Sequence, residues 1–216
     1  MTAPLEFILI STTRYGENAL ILHTLSREYG RRSFIARVGK KTSMGLFLPL
    51  NILEADITRN PKSDLWSARN FMALEPLGGI RDNLYKNTIA LFMSEVLFRT
   101  LKDGANEDGL YGWCLGSILA LDALESDWSN FHLRFLLELA GALGFRPSLE
   151  DLAPFAGEDL RQIGSLLTAS LPDALLLPLT GSQRKKIAEE LLRYLEFHTE
   201  SAISVRSLDV LHDVFL

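Results

Sequence analysis

Basic residues are concentrated in one short stretch of the sequence, residues 27–41. This stretch carries six lysines and arginines and one acidic residue, Glu28. Lysine and arginine at such density are the residue types that contact nucleic-acid phosphates. Tyr15 and Tyr29 each precede a glycine that predicts a turn, so their rings could be exposed for stacking on bases. With one arginine before the stretch, the predicted phosphate contacts are Arg14, Arg27, Arg31, Arg32, Arg37, Lys40 and Lys41.

The net charge of the whole chain argues against binding to nucleic acid. The formal net charge is −5, made up of +3 in residues 1–75 and −8 in residues 76–216. A local basic cluster can dominate the field near it even on an acidic protein. The alternative is that residues 27–41 are a solvent-exposed loop and strand whose charges bind nothing.

Catalytic chemistry finds little support in the sequence. There is no Gly-x-Ser-x-Gly nucleophile motif and no phosphate-binding P-loop, and the four histidines have no metal-ligand spacing. Glu54 and Asp56 share one strand face and could hold Mg²⁺ for a nuclease or phosphotransferase reaction, but a solvent-exposed strand face is the alternative that we favour. We therefore predict a non-enzymatic protein with no catalytic residue, no metal and no cofactor.

The single cysteine, Cys114, lies in an apolar segment, which favours core packing over reactivity. One thiol cannot form an internal disulfide, so a reducing compartment is expected. No apolar run reaches the roughly 18 residues that a membrane-spanning helix needs. We expect a cytoplasmic protein without membrane contact.

The first 75 residues alternate apolar and polar positions in short runs separated by turn residues, which predicts a small five-stranded barrel. In the third strand, Phe34 and Ala36 are expected to face the core, and Arg37 to face outward. The predicted strands are Glu6–Thr12, Asn18–Ser26, Arg31–Val38, Phe47–Arg59 and Leu65–Leu74.

After Glu75–Gly79 the apolar period changes from 2 to 3.6, which predicts helices for the rest of the chain. Ser129 and Ser182 are the residue type that caps helix N-termini, and we expect them to cap the helices that follow. The predicted fold class is α+β, with a barrel domain at 1–78 and a helical domain at 79–216.

Several segments resemble the bacterial recombination mediator RecO, and they occur in that family's order. The first covers Thr13-Arg-Tyr-Gly-Glu-Asn-Ala-Leu-Ile-Leu22 and Ser26-Arg-Glu-Tyr-Gly30. Gly39-Lys-Lys41, Gly45, Leu48-Pro49 and Leu53-Glu54 continue the similarity. Later segments are Leu136–Arg146, which contains Leu143-Gly-Phe145, and Ser204-Val-Arg-Ser-Leu-Asp-Val-Leu211. Several matches in the right order are more specific than any one alone.

The resemblance implies an N-terminal OB-fold barrel packed on a helical domain. It implies binding to single- and double-stranded DNA, annealing of complementary strands, and a role in DNA repair and homologous recombination in association with the nucleoid. It implies that RecR is a partner with which the protein helps load RecA onto strands coated by single-strand-binding protein (SSB). A non-DNA-binding interaction adaptor built on the same barrel is the alternative.

Two implications concern the helical domain. Some family members carry a four-cysteine zinc site after the Leu-Gly-aromatic element, but residues 146–182 contain no cysteine, so no zinc is predicted. The family's helical domain receives the acidic, apolar C-terminal tail of SSB, which needs an apolar groove with a basic rim. Candidate rim residues are Arg134, Arg184, Lys185 and Lys186.

Overall fold

β-Strands form where β-branched and aromatic residues are concentrated in the first part of the chain. The computed structural model describes residues 2–39, 42–61, 63 and 65–215. Its strands are β1 (Thr2–Arg14), β2 (Ala19–Ser26), β3 (Gly30–Arg37), β4 (Ile52–Thr58) and β5 (Trp66–Ala73). They close into a barrel in the order β1-β2-β3-β5-β4. The predicted α+β class, an OB-fold barrel followed by helices, is confirmed.

The strand pairing is antiparallel except at one seam. β1 pairs with β2 and β4, β2 with β3, and β4 with β5, all antiparallel, whereas β3 and β5 are parallel and share only three register pairs. A bulge between Leu9 and Ser11 bends β1, which lets one long strand take part in both halves of the barrel. The barrel is therefore closed through a short parallel seam.

Alternating side chains fill the barrel interior. Phe34 and Ala36 are fully buried and Arg37 is exposed, so the predicted orientation of the third strand is confirmed. The Phe7 and Phe34 rings pack 5.9 Å apart, at a tilt typical of aromatic pairs. Burying rings of this size contributes about 2 kcal/mol each.

The predicted start of the fourth strand at Phe47 is wrong. Residues Met44–Phe47 form a 3-10 turn, and Leu50 has a φ of 63°, a left-handed conformation outside the region of regular β-strand. The Asn51 side chain holds this turn by donating to the carbonyl oxygens of Gly45 and Leu46 at 2.9 and 3.0 Å. β4 therefore begins only at Ile52.

The chain divides into two compact units, and one of them is discontinuous. The barrel unit contains the residues up to Leu77 together with Leu101–Leu115; the helical unit contains Gly78–Thr100 and the residues from Gly116 onward. Residues 101–115 join β3 through backbone bonds from the Arg31 amide to the Ala105 carbonyl and from the Gly104 amide to the Arg31 carbonyl, each 2.8 Å. A single domain boundary after residue 78 would place residues 101–115, which belong to the barrel unit, in the helical domain.

Helices follow the strands, as the change of period predicts. Their bounds are α1 (Gly78–Arg81), α2 (Leu84–Thr100), α3 (Leu110–Ala123), α4 (Phe131–Ala142), α5 (Leu149–Ala156), α6 (Leu160–Thr168), α7 (Leu171–Leu175), α8 (Gly181–Thr199) and α9 (Ser207–Val214). In the helical unit, α8 packs against α4, α5 and α9, and α2 packs against α4 and α9.

The predictions that Ser129 and Ser182 cap helix N-termini are both wrong. α8 is capped by Thr180, which forms a reciprocal capping box with Gln183, so the helix starts before Ser182. A 3-10 turn at Trp128–Asn130 precedes α4 and displaces Ser129 from the cap position. In each case a better side-chain partner or a tighter turn nearby satisfies the first amides of the helix.

Glu95 on α2 anchors the last helix. Its carboxylate accepts bonds from the Arg206 amide, the Ser207 amide and the Ser207 hydroxyl at 3.1, 2.9 and 2.6 Å. These bonds hold the pKa of Glu95 below its usual value, although partial burial acts in the opposite direction. The start of α9 is thus capped by a side chain from another helix.

Candidate nucleic-acid interface

The β2–β3 hairpin separates the predicted phosphate contacts into two groups. Arg37 pairs with Ala19, and Arg14 pairs with Leu20, so these arginines meet at the open end of the hairpin. Arg27, Arg31 and Arg32 lie at its turn. Seven residues of extended strand separate the two ends by about 23 Å.

Lys40 and Lys41 lie outside the described residues. In the sequence they follow Arg37, the last residue of β3, by three and four positions.

Arg31 is covered by residues 101–106. Its side chain is 5% exposed, and one guanidinium nitrogen lies 3.5 Å from an Asp103 carboxylate oxygen. Burial lowers the pKa of Arg31, and the Asp103 charge acts in the opposite direction. The Arg31 guanidinium is therefore part of the attachment of this segment and does not lie on the open barrel surface.

His23 lies beside Arg31 on the neighbouring strand. Its ring nitrogens are 3.0 Å from the hydroxyl oxygens of Thr13 and Ser33. Burial lowers the pKa of His23, and the Arg31 charge lowers it further. A neutral ring in this position links three strands without adding charge to the surface.

Arg32, Arg59, Tyr29 and Trp66 form the aromatic–arginine cluster. The Arg32 guanidinium carbon lies 3.7 Å from the centroid of the Trp66 ring, and that of Arg59 lies 4.8 Å from the same centroid. Arg59 also lies over the Tyr29 ring and donates a short hydrogen bond to the Tyr29 hydroxyl. Arginine stacked on an aromatic face keeps its charge and its outer N–H groups. The rings thus hold both guanidinium groups in place before any ligand arrives.

A second cation–π contact lies at the turn of the hairpin. The Arg27 guanidinium lies 5.2 Å from the centroid of the Tyr111 ring, and the Tyr111 hydroxyl donates to a Glu6 carboxylate oxygen. Burial, followed by this hydrogen bond to Glu6, raises the pKa of Tyr111. Arg27 itself is exposed.

The two predicted stacking residues differ in environment. Tyr15 is 57% exposed beside Gly16, whose φ is 69°, so its ring is free to meet a base. Tyr29 is partly buried, with its edge on Trp66 at 5.3 Å and Arg59 over its face. Both positions stay predictions as stacking sites.

Arg59 and Trp66 were not among the residues that the sequence analysis selected. They flank residues 60–65, and the last register pair of the two strands is Thr58 with Ser67. Extending this register by one position brings Arg59 opposite Trp66. A hairpin register drawn from the sequence could therefore have placed these two residues together.

The candidate carboxylate pair, Glu54 and Asp56, has few polar partners in the described structure. Asp56 accepts a 2.7 Å bond from the Asn70 side chain, and Glu54 lies one pleat away on the same outer face. In the ranges that the structure describes, no group of three or more histidines, cysteines or carboxylates could hold a metal ion. Cys114 is fully buried, which raises its pKa to about 12.

All four candidate rim residues of the helical unit have partners. Arg134 bonds Glu138 at 2.7 Å and the carbonyl oxygens of Leu166 and Leu167. Lys185 pairs with Asp209 at 2.7 Å, and Lys186 with Asp159 at 2.8 Å. Arg184 donates to two backbone carbonyl groups, those of Leu179 and Phe215.

Arg184 and Lys185 also border one depression between α8 and α9. Leu208, Leu211 and Phe215 supply its apolar lining. Its volume is about 210 Å³, open solvent included. The depression has the apolar floor and basic rim expected of a tail-binding groove, in a narrow form.

Comparison with known proteins finds two family matches, one on each side of residues 75–80. Residues 1–74 match the family described as Recombination protein O N terminal, and residues 81–153 match Recombination protein O C terminal. Across the described residues, no helix has the length and apolar character needed to cross a membrane.

Relatives named DNA repair protein RecO match nearly the whole chain. Those of Azobacteroides pseudotrichonymphae and Phocaeicola vulgatus are 26% and 27% identical, each over 96% of this chain and 97% of the relative. The relative from Bacteroides fragilis strain ATCC 25285 is 30% identical over 76% of this chain and 69% of its own length. The chain therefore belongs to the RecO family of DNA repair and recombination proteins.

Proposed function

We propose that the barrel unit binds single- and double-stranded DNA and that the protein anneals complementary strands. The observation that carries the proposal is the set of barrel arginines held against aromatic rings, above all Arg32 and Arg59 at Trp66. A ring face attracts a cation without cancelling its net charge, unlike a carboxylate. Of the predicted contacts, Arg14, Arg27, Arg32, Arg37, Lys40 and Lys41 would complete the interface, whereas Arg31 is buried against Asp103.

Annealing requires no bond chemistry. Two complementary strands repel through their phosphates, so a cationic surface that neutralises phosphates and leaves base edges free lowers the barrier to pairing. The strands would follow the arginines, with Tyr15 as the exposed ring for stacking. The protein's place would then be with DNA at the nucleoid.

The proposal also includes three protein partners: RecR, RecA and the C-terminal tail of SSB. With RecR, the protein would help load RecA onto SSB-coated single strands. The acidic, apolar tail of SSB would dock on the helical unit, where the apolar depression bordered by Arg184 and Lys185 supports this assignment. Because that depression is narrow, docking would require α9 or the Arg184 side chain to move.

The DNA proposal is tested by fluorescence anisotropy of a labelled single strand across a salt series. If about five basic residues meet phosphates, the log–log slope of affinity against salt is roughly −3 to −4. Lys40→Glu/Lys41→Glu should weaken binding to every sequence about equally. Lys185→Glu/Lys186→Glu is the matched control, since it changes charge equally on the helical unit and should leave affinity nearly unchanged.

Strand pairing is followed with two complementary oligonucleotides that carry a fluorescence donor and acceptor. Faster pairing at low protein concentration, lost in the Lys40/Lys41 variant, is the expected result. Absence of salt-dependent binding at low salt would contradict the proposal and favour an adaptor whose barrel binds protein. Tail docking is tested with a labelled SSB C-terminal peptide, whose binding should weaken in Arg184→Ala.

A further inference from the structure

A depression at one mouth of the barrel combines an apolar floor with two charged residues of opposite sign. Leu5 and Ile57, which are buried residues of the barrel core, form the floor, and Glu28 and Arg59 border it. Its volume is about 560 Å³, open solvent included. Ligand sites of about 300–1,000 Å³ with apolar walls and a few orienting polar groups are common in proteins, and barrel mouths are a frequent place for them. This barrel-mouth depression therefore has the composition of a ligand site.

Arg59 supplies the positive charge of the barrel-mouth depression. Its guanidinium carbon lies 5.1 Å from the centroid of the Tyr29 ring, and it donates a hydrogen bond to the Tyr29 hydroxyl. Among the described residues this is the one hydrogen bond of Arg59, whereas a guanidinium has five N–H donors. The other donors have a fork geometry that suits the oxygens of a phosphate. Because Tyr29 already orders the side chain, less of its freedom is lost when an anion binds.

Glu28 supplies a negative charge to the same depression. Its side chain is exposed, and within the described ranges it forms neither an ion pair nor a hydrogen bond, with Arg59 or with any other residue. A carboxylate accepts hydrogen bonds, donates none, and repels a phosphate. A ligand that fits both residues therefore has an anionic part for Arg59 and a hydrogen-bond donor for Glu28.

A nucleotide has both of these parts, joined to the apolar face of a base. Its phosphate is the anionic part, and the exocyclic amino group of cytosine is a donor that glutamate accepts in protein–DNA contacts. Adenine carries an exocyclic amino group as well, whereas thymine presents an acceptor oxygen, which a carboxylate repels. The flat face of a base suits the apolar floor formed by Leu5 and Ile57.

We propose that the barrel-mouth depression holds one nucleotide of a single DNA strand, with the phosphate on Arg59 and the exocyclic amino group of the base on Glu28. The inference rests on the proposed DNA binding of the barrel, and it adds a place on the barrel and a base preference. Bases with an exocyclic amino group are preferred over thymine and uracil at this one position. Nucleotides on either side are held through their phosphates and carry no preference.

The test compares two labelled single strands of equal length, one of deoxycytidines and one of deoxyuridines. The two bases have the same size, and cytosine carries an amino group where uracil carries a carbonyl oxygen. Anisotropy titrations at mildly alkaline pH keep the deoxycytidine strand from pairing with itself. We expect the unmodified protein to bind the deoxycytidine strand about two- to tenfold more tightly, which is the effect of one net hydrogen bond.

Glu28→Gln separates hydrogen bonding from charge. Glutamine accepts from cytosine and donates to uracil, so the preference should disappear, with a larger gain in affinity on the deoxyuridine strand. Glu17→Gln is the matched control, because Glu17 is an exposed glutamate of the same barrel outside the depression, and it should affect both strands equally. An equal gain on both strands in Glu28→Gln would show that Glu28 only repels phosphates, and it would overturn the inference.

Arg59→Gln tests the phosphate contact. It should weaken binding to both strands and lower the salt slope by about 0.7, the value for one phosphate contact on a single strand. The deoxycytidine preference should fall with it, because the nucleotide is then held less firmly beside Glu28. Arg69→Gln is the matched control, because Arg69 is an exposed arginine of the same barrel outside the depression. An undiminished preference in Arg59→Gln, with the same loss of slope as in Arg69→Gln, would contradict the assignment of Arg59.

A neutral variant tests whether the depression itself is occupied. Ala3 is exposed and borders the depression, so Ala3→Leu narrows the space without changing the charge. The deoxycytidine strand should then bind about as weakly as the deoxyuridine strand. Ser67→Leu adds a similar side chain at an exposed barrel position outside the depression and should leave the preference intact. An undiminished preference in Ala3→Leu would place the nucleotide elsewhere; if thermal unfolding shows that this variant does not fold, Glu28→Gln and Arg59→Gln carry the test.

Failure of the inference can be distinguished from failure of the proposed function. If the unmodified protein binds both strands equally well, the inference alone falls. If it binds neither strand at low salt, the DNA proposal falls and takes this inference with it. Deoxycytidine monophosphate has the same chemistry as the proposed occupant, so it is added as a competitor. Displacement of the strand only at a large excess supports a site for a nucleotide within a strand, and displacement at equal concentration would show a site for a free nucleotide instead.

Discussion

The two units of the chain differ in how many of their cations form ion pairs. In the helical unit, Arg134, Lys185 and Lys186 pair with carboxylates, and Lys86, Arg99 and Arg184 lie over aromatic rings. In the described part of the barrel unit, Arg27, Arg32 and Arg59 lie over rings, and an ion pair joins the buried Arg31 to Asp103. A ring orders a cation and leaves its net charge unchanged, whereas a carboxylate cancels it.

This difference explains how an acidic protein can present a basic surface. The net charge of −5 is a sum over both units, but a ligand at the barrel meets the local charge within a Debye length of about 8 Å. The helical unit's acidic residues are partly matched with its own cations. Counting charges over the whole chain therefore understates what the barrel presents to a polyanion.

The largest expected effect tests whether residues 101–115 stabilise the barrel. Gly30 has a φ of 57°, and a Cβ there would lie 2.1 Å from the Ala105 carbonyl oxygen. Gly30→Ala should therefore lower the free energy of unfolding by about 4 kcal/mol, from backbone strain and the clash together. Urea unfolding measures it.

Gly16→Ala is the control, because Gly16 has a similar φ of 69° with no atom within 4 Å of the added Cβ. It should cost only about 1 kcal/mol. Equal losses in the two variants would mean that residues 101–115 can move away at little cost.

Acid should affect the helical unit through its buried histidine. Burial lowers the pKa of His132 to about 3, and the nearby Arg184 charge adds to the effect. In the unfolded chain the histidine takes up a proton near pH 6.5, whereas in the folded protein it stays neutral down to about pH 3. The free energy of unfolding therefore falls by about 1.4 kcal/mol per pH unit as pH drops from 6.5 toward 3.

At pH 4 the loss from His132 reaches about 3 kcal/mol. His132→Leu should flatten the pH profile in this window, measured as urea unfolding at several pH values. Hydrogen exchange in α4 compared with the barrel strands would locate the effect. A profile unchanged by His132→Leu would show that other groups cause the acid sensitivity.

A smaller effect is expected where α9 is anchored. Glu95→Gln should cost about 1 kcal/mol at pH 7, because a charged acceptor of three hydrogen bonds becomes a neutral one and the site is partly exposed. The folded pKa of Glu95 is depressed, so its contribution is full above the unfolded value near 4.3 and disappears as pH falls through the folded value. The two proteins should therefore converge in stability as pH falls through the folded pKa of Glu95, as followed by thermal unfolding.

The smallest expected effect is on DNA affinity, and it is tested by replacing one cation in each unit. Arg27→Gln should weaken single-strand binding about two- to threefold at moderate salt, with a salt slope less steep by about 0.7. Lys185→Gln removes a charge that Asp209 already offsets, so DNA affinity should stay within error. Anisotropy titrations at several salt concentrations give both values. An equal loss in both variants would remove the distinction between the units.

Strand and helix positions could be predicted from the sequence because burial imposes a period on apolar residues. The alternation around Phe34 and Ala36 fixes which face of β3 is inside, and the structure has the same faces. Local breaks such as the 3-10 turn before Ile52 depend on the Asn51 side chain bonding two carbonyl groups, which no period encodes. The packing of residues 101–115 with β3 likewise depends on backbone bonds between segments some 70 residues apart in the sequence.

The candidate interface was predictable in residue type but not in grouping. A dense basic stretch identified Arg27, Arg31 and Arg32, yet the sequence could not indicate that Asp103 and its neighbours cover Arg31. Trp66 on β5 and Arg59, which follows β4, join the interface from the strands next to β3, because strand order β3-β5-β4 brings together residues far apart in the chain. The sequence composition identifies the charged residues, whereas the strand order of the barrel determines which of them contact the same aromatic ring.

The closed order of the barrel also limits how other proteins can bind it. Each of the five strands is paired on both sides, β3 and β5 through their parallel seam. In the described residues, the strand edge that is left to accept a strand from another chain is limited to the parts of β3 and β5 beyond their three paired positions. Strand addition is a common route to both peptide recognition and aggregation. Protein partners of the barrel would therefore use mainly side-chain surfaces and loops, the same kind of surface that the proposed DNA binding uses.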